Sequence, residues 1–185
     1  MNEIEPKLVR SKRAARESAL RALYSILIGK VDIADGLGEE TLGNAFSHET
    51  AEFVDRLVTN TAESREDLDT KFSPHLAKGW ELDRLAAIDR ILLEMACYEL
   101  WNESEVPPKV VIDEYVRLAK TYGSADSGKF VNGVLASVLA VSPKNDWTPT
   151  AYTRPEPAPE PEMTPQPPEE TLPPSGPKWV IKSDR

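Results

Sequence analysis

LDRLAAIDRILLEMACYELW, running from Leu82 to Trp101, is the stretch whose reading decides the fold. Wound as a helix, it carries apolar side chains nearly all the way round, interrupted by Asp89, Arg90, Glu94 and Glu99. A helix apolar on several sides must be covered on several sides, so it belongs at the centre of a helical body.

The neighbouring segments supply the cover. Downstream, Pro107-Pro108 opens a helix that reaches Tyr122 through Val110, Val111, Tyr115, Leu118 and Ala119, and Gly123 stops it. Proline suits a first helical turn, where its missing N–H is no loss. Ser124 or Asp126 then caps a last helix with the inner face Phe130, Val131, Val134, Leu135, Val138 and Leu139. Gly133 costs this helix roughly 1 kcal/mol relative to alanine, for which close helix–helix approach is the expected compensation. Upstream, residues 11–28 repeat Ala15, Ala19, Ala22, Leu23 and Ile26 at helical spacing behind a Ser11 cap. Gly29 ends that run, Gly36, Gly38 and Gly43 read as a loose connection, and one long helix is expected from about Thr50 to Thr70. No segment alternates with period two. The expected class is all-α, with five to seven helices and short loops that favour antiparallel neighbours.

Twelve of the 16 prolines lie from Pro143 onward. Residues 1–142 therefore read as the folded domain, and 143–185 as a disordered Pro/Glu-rich tail unable to offset its ordering entropy. No run approaches the ~18 apolar residues of a membrane span, and nothing resembles a signal peptide, so a cytoplasmic protein is expected. A single cysteine, Cys97, excludes an internal disulfide and a cysteine-based metal cage. No catalytic constellation, metal site or cofactor site is expected, since the chain has neither a glycine-rich phosphate loop nor a histidine beside a nucleophile.

Charge is the informative property. The chain has a net charge of -9, yet residues 1–30 hold seven Lys/Arg against three acids. RSKRAARESALRALY, from Arg10 to Tyr24, places Arg13, Arg16, Leu20 and Tyr24 on one flank of the first helix, with Lys12 one step round. Guanidinium groups can grip phosphate with two donors, and a tyrosine ring offers a surface to an unpaired base. The excess also sits at the end where the helix dipole favours acids. A solvated charged face would explain a basic terminus, but its concentration in an acidic chain points to RNA or another polyanion. The second such place is AKTYGSADSGKFVNGVL, from Ala119 to Leu135, whose helix–helix corner gathers Tyr122, Asp126, Lys129 and Phe130. Ordinary helix capping would also account for that corner.

At these residues the sequence resembles the NusB family. KRAARESALRALYSI resembles its basic first helix, LDRLAAIDRILLEMACYEL its central helix, and VPPKVVIDEYVRLAKTYGSADSGKFVNGVL its most characteristic run. The resemblance covers roughly Lys7 to Ala140. It implies an all-helical fold of two small bundles and a non-enzymatic role in transcription antitermination. NusB-like proteins pair with NusE, a small-subunit ribosomal protein, to bind single-stranded boxA RNA within an RNA polymerase complex that reads through terminators, notably in ribosomal RNA operons. Carried over by position, Lys12, Arg13, Arg16, Tyr24, Tyr122, Lys129 and Phe130 are expected at RNA, and Asp89, Arg90 and Asp126 at the protein partner. A homodimer is a further implied possibility. The chain departs from the family at Glu94, where arginine is common, and at Gly128, where a larger polar residue is usual. A detached NusB-like module of an RNA methyltransferase system and a purely protein-binding scaffold are the competing readings.

Overall fold

A computed structural model describes residues 11–43 and 45–147, without the side chains of residues 42 and 43. Among them are seven α-helices and no extended strand: α1 Lys12–Leu27, α2 Ile33–Gly43, α3 His48–Glu63, α4 Arg65–Phe72, α5 Ala87–Asn102, α6 Pro108–Tyr122 and α7 Ser127–Leu139. Helices α1, α2 and α3 pack on one another, α4 to α7 form a second group, and α5 touches both. The expected two-bundle, all-α architecture is what the chain adopts. No helix of the described residues is long and apolar enough to cross a membrane.

Helix α5 is the hub. Every residue from Ile91 to Leu100 is buried, its acids included. Two short 3-10 turns, Ser73–His75 and Leu82–Arg84, lie between α4 and α5. Leu82–Arg84 is thus separate from α5, where the sequence reads as one continuous helix. Ser11 caps α1 as expected, its hydroxyl accepting from the Ala14 N–H at 3.4 Å. Cys97 is wholly buried in the core.

Three local readings are corrected. The glycine-rich stretch before Gly43 forms helix α2, and Gly36 in it is a contact point: a Cβ there would lie 2.8 Å from the Ile26 side chain. The long helix from Thr50 to Thr70 is two helices that meet at Ser64, whose φ of -100° and ψ of 17° leave the helical region. Helix α7 begins without a side-chain cap at Asp126. Instead the Ser127 hydroxyl accepts from the Ser124 N–H at 2.8 Å, tying the turn back on itself.

The packed chain continues past Ser142 to Trp147. The Lys144 ammonium is buried and donates to the carbonyls of Glu103 and Val106, at 2.5 and 2.6 Å. The Trp147 indole N–H donates to the Ser104 carbonyl at 3.3 Å. The remainder of the Pro/Glu-rich tail lies outside the described residues.

Candidate nucleic-acid interface

The expected basic flank of α1 divides on folding. Arg16 leaves the surface altogether, being 2% exposed. Its Nε and Nη2 donate to the two oxygens of Glu99, each at 2.7 Å, and the Tyr115 hydroxyl donates to Glu99 Oε1 at 2.6 Å. Burial works against the Arg16 charge, but the hydrogen bonds and charge of Glu99 more than offset it and raise its pKa. Burial, reinforced by Glu99, pushes the Tyr115 hydroxyl well above its ordinary pKa. The expectation that Arg16 contacts RNA is therefore corrected: its guanidinium joins helices. Leu20, placed on the same flank by the helical wheel, is buried too.

Arg13 and Lys12 remain outside. The Arg13 side chain is 60% exposed although it pairs with Glu114 on α6, at 2.8 Å at its shortest. Lys12 is exposed and sets its ammonium 5.3 Å from the Phe53 ring centroid. Arg21 pairs with Glu17 and Glu40, both at 3.1 Å. Arg10 lies outside the described residues.

Two grooves collect the aromatic residues. The first, about 460 Å³, runs between α1 and α6 and is lined by Arg21, Tyr24, Glu40, Ile88 and Tyr122. Tyr24 is 43% exposed, while the Tyr122 hydroxyl is held by Glu17, a hydrogen bond that raises its pKa. Tyr24 and Tyr122, far apart in sequence, thus share one wall. The second groove, about 440 Å³, is lined by His75, Asp126, Lys129, Phe130, Gly133 and Val134. Neither groove is lined by Lys12 or Arg13.

Asp89 and Arg90 do not present a free edge. Asp89 is buried, with no hydrogen-bond partner on its Oδ1 among the described residues. Arg90 donates to Asp69 Oδ2 at 2.5 Å and to Glu94 Oε1 at 3.0 Å, and Arg65 reaches the same Glu94 oxygen at 2.8 Å. This network locks α4 onto α5, so the expectation of an outward partner contact is corrected for the buried Asp89, whereas the Arg90 side chain keeps 22% exposure. Glu94, the first departure from the family pattern, is fully buried within it. Burial drives its pKa up to about 7 against the lowering pull of Arg65. Gly128, the other departure, lies under the Lys120 stem; a Cβ there would sit 2.5 Å from Lys120 Cγ.

One feature escapes the sequence reading, and a second is corrected. Trp80, in the segment between the two 3-10 turns, stacks on Phe130 with ring centroids 5.2 Å apart and planes inclined by 25°. The signal for it was a tryptophan directly after Lys78-Gly79, outside any helical pattern. The second is Gly133, which no helix approaches: a Cβ there would meet nothing within 4 Å. The expected close helix–helix contact is absent at this position.

The model of the NusB family matches residues 13–140. The transcription antitermination protein NusB of Symbiobacterium thermophilum is 42% identical over 137 residues, covering 70% of this chain and 89% of that protein. The Bacillus subtilis NusB protein is 38% identical over 128 residues, covering 69% and 93%. Among solved structures, T. maritima NusB superposes with a TM-score of 0.66 at 32% identity, covering 71% of this chain and 92% of that one. A structure of the antitermination factors NusB and NusE in complex with double-stranded RNA matches with a TM-score of 0.64 at 27% identity, covering 72% and 99%.

Proposed function

The chain belongs to the NusB family, and on that premise we propose that it is a transcription antitermination factor that pairs with NusE and holds boxA-type single-stranded RNA. In this reading the pair joins an RNA polymerase complex that reads through terminators, notably in ribosomal RNA operons. The observation that carries it is the match across residues 13–140, together with a relative of the same fold seen with NusE and double-stranded RNA.

The chain's own residues suit a modular mechanism. Lys12, Arg13 and Lys129 are exposed cations that can meet phosphates, while Tyr24, Tyr122 and Phe130 line grooves open to flat rings. Phosphate contacts position a strand and base contacts specify it. With Arg16 withdrawn, three of the four cations assigned to RNA remain. The protein alone then binds weakly, with log affinity falling against log salt at a slope of about -2, from roughly -0.7 per neutralised phosphate. NusE supplies the remaining surface and charge.

Gel-shift titration of a boxA-type RNA with the full chain, with and without NusE, tests this. The expected result is weak binding by the chain alone, strong enhancement by NusE, and loss on combining Lys12→Glu with Arg13→Glu. One observation favours a second reading: Arg13, Arg16 and Arg21 all face carboxylates of the chain itself. RNA binding unaffected by NusE and by those substitutions would assign the protein to scaffolding instead.

A further inference from the structure

We propose that Trp80 is a base-stacking residue, presenting the open side of its indole to an unpaired nucleobase of the bound RNA; this rests on the RNA-binding reading above. The Trp80 ring is held from two sides. Residues Ala77 to Trp80 form a turn closed by the Trp80 N–H donating to the Ala77 carbonyl at 2.9 Å. Gly79, its third residue, has φ of +90°, the left-handed conformation that glycine adopts without strain. The turn therefore fixes where residue 80 leaves the backbone, and Phe130 fixes its ring plane by stacking.

A ring so positioned would ordinarily be buried, since tryptophan carries more apolar surface to hide than any other side chain. Trp80 is instead 52% exposed. One face lies on Phe130, leaving the other for a partner ring, so that a base would extend the order Phe130, Trp80, base. Stacking of this kind is sequence-tolerant, because every base has a π-face.

The surroundings fit a nucleotide better than a peptide side chain. Phe130 also lines the second groove, whose rim carries the exposed Lys129, and Lys78 is exposed at the apex of the turn. These two cations flank the stack where a ribose-phosphate strand would run. Gly133 opens the same groove wall and has no intramolecular packing reason to be glycine. A helix-interior glycine facing open space leaves room for a flat ligand.

The test uses the full chain with saturating NusE and a boxA-type single-stranded RNA oligonucleotide. Trp80→Ala is expected to weaken binding about tenfold or more, by loss of one base–aromatic stack, with the salt slope unchanged because no charge is removed. Trp80→Phe is expected to restore most of the affinity, while abolishing the part of the RNA-induced tryptophan quenching that arises at residue 80. Circular dichroism melts confirm that both variants fold. Wild-type affinity in Trp80→Ala would overturn the proposal while leaving RNA binding intact. Loss of NusE pairing without RNA present, and unchanged RNA affinity once NusE saturates, would also overturn it and assign Trp80 to the protein partner. Failure of the wild-type pair to bind RNA would overturn both this proposal and the reading beneath it.

Discussion

Arg16 on α1 and Glu99 on α5 meet fork to fork, two 2.7 Å hydrogen bonds side by side, with neither side chain more than 2% exposed. Two buried charges in this geometry satisfy each other, and removing one strands the other in a medium that cannot solvate it. Arg16→Ala is accordingly expected to cost about 3–5 kcal/mol of folding stability, measured by urea unfolding. Lys12→Ala, on the same helix, removes only an exposed contact with the Phe53 ring and should cost no more than about 1 kcal/mol. Any RNA defect of Arg16→Ala should follow its unfolded fraction, whereas that of Lys12→Ala should appear as a shallower salt slope.

Glu94 gives the protein a pH dependence of definite sign. Burial holds its folded-state pKa near 7, well above the unfolded value of 4.5. Between those values the native state binds more protons than the unfolded chain, so this group's contribution is full below about pH 4.5 and is lost as pH rises through about 7. Glu94→Gln removes the titration. The stability of the natural protein relative to Glu94→Gln is expected to fall between pH 5 and pH 8, by on the order of 2–3 kcal/mol. Paired denaturant curves at the two pH values measure it, and a difference that grows with pH would contradict the assignment.

Gly133 separates stability from binding. Alanine there meets no atom within 4 Å, so Gly133→Ala should stabilise α7 by about 0.5–1 kcal/mol through reduced backbone freedom in the unfolded chain. A higher melting temperature together with weaker RNA binding is the expected pair of results, since the added methyl intrudes on the groove.

Lys144 pins the end of the packed chain. Lys144→Met leaves the carbonyls of Glu103 and Val106 without that donor, an expected loss of about 1–3 kcal/mol. A chain ending at Val141 should melt lower than one ending at Pro149, and scanning calorimetry of the two truncations decides it.

The sequence made the hub and its cover legible because their signal is periodic: Leu82 to Trp101 is apolar on too many sides to lie at a surface. It also made the boundaries at Ser11, Pro108 and Gly123 legible, where capping or chain stiffness acts locally. What it hid was pairing. A charged residue beside an apolar stripe reads as a wet edge, and only the arrival of Glu99 from 83 positions away turns Arg16 inward. Arg90 misled for the same reason, with Asp69 and Glu94 as the unseen partners, whereas Asp89 misled by being buried. Gly36 misled differently: a glycine that frees a loop and one that lets Ile26 approach look alike until the neighbour is placed. Of the second groove, the lining residues Asp126, Lys129 and Phe130 were singled out by the sequence, whereas the Trp80 stack required knowing which ring lay beneath it.

The carboxylate of Glu99 takes hydrogen bonds from two other helices at once, through Arg16 of α1 and Tyr115 of α6. Lys12 and Arg13 consequently ride on a rod that is clamped from beneath. On the proposed function, a nucleic acid strand that settles on them meets a helix with little freedom left to surrender. Most of the entropy of complex formation must then come out of the strand, so chemically stiffening the oligonucleotide should raise its affinity more than stiffening the protein would.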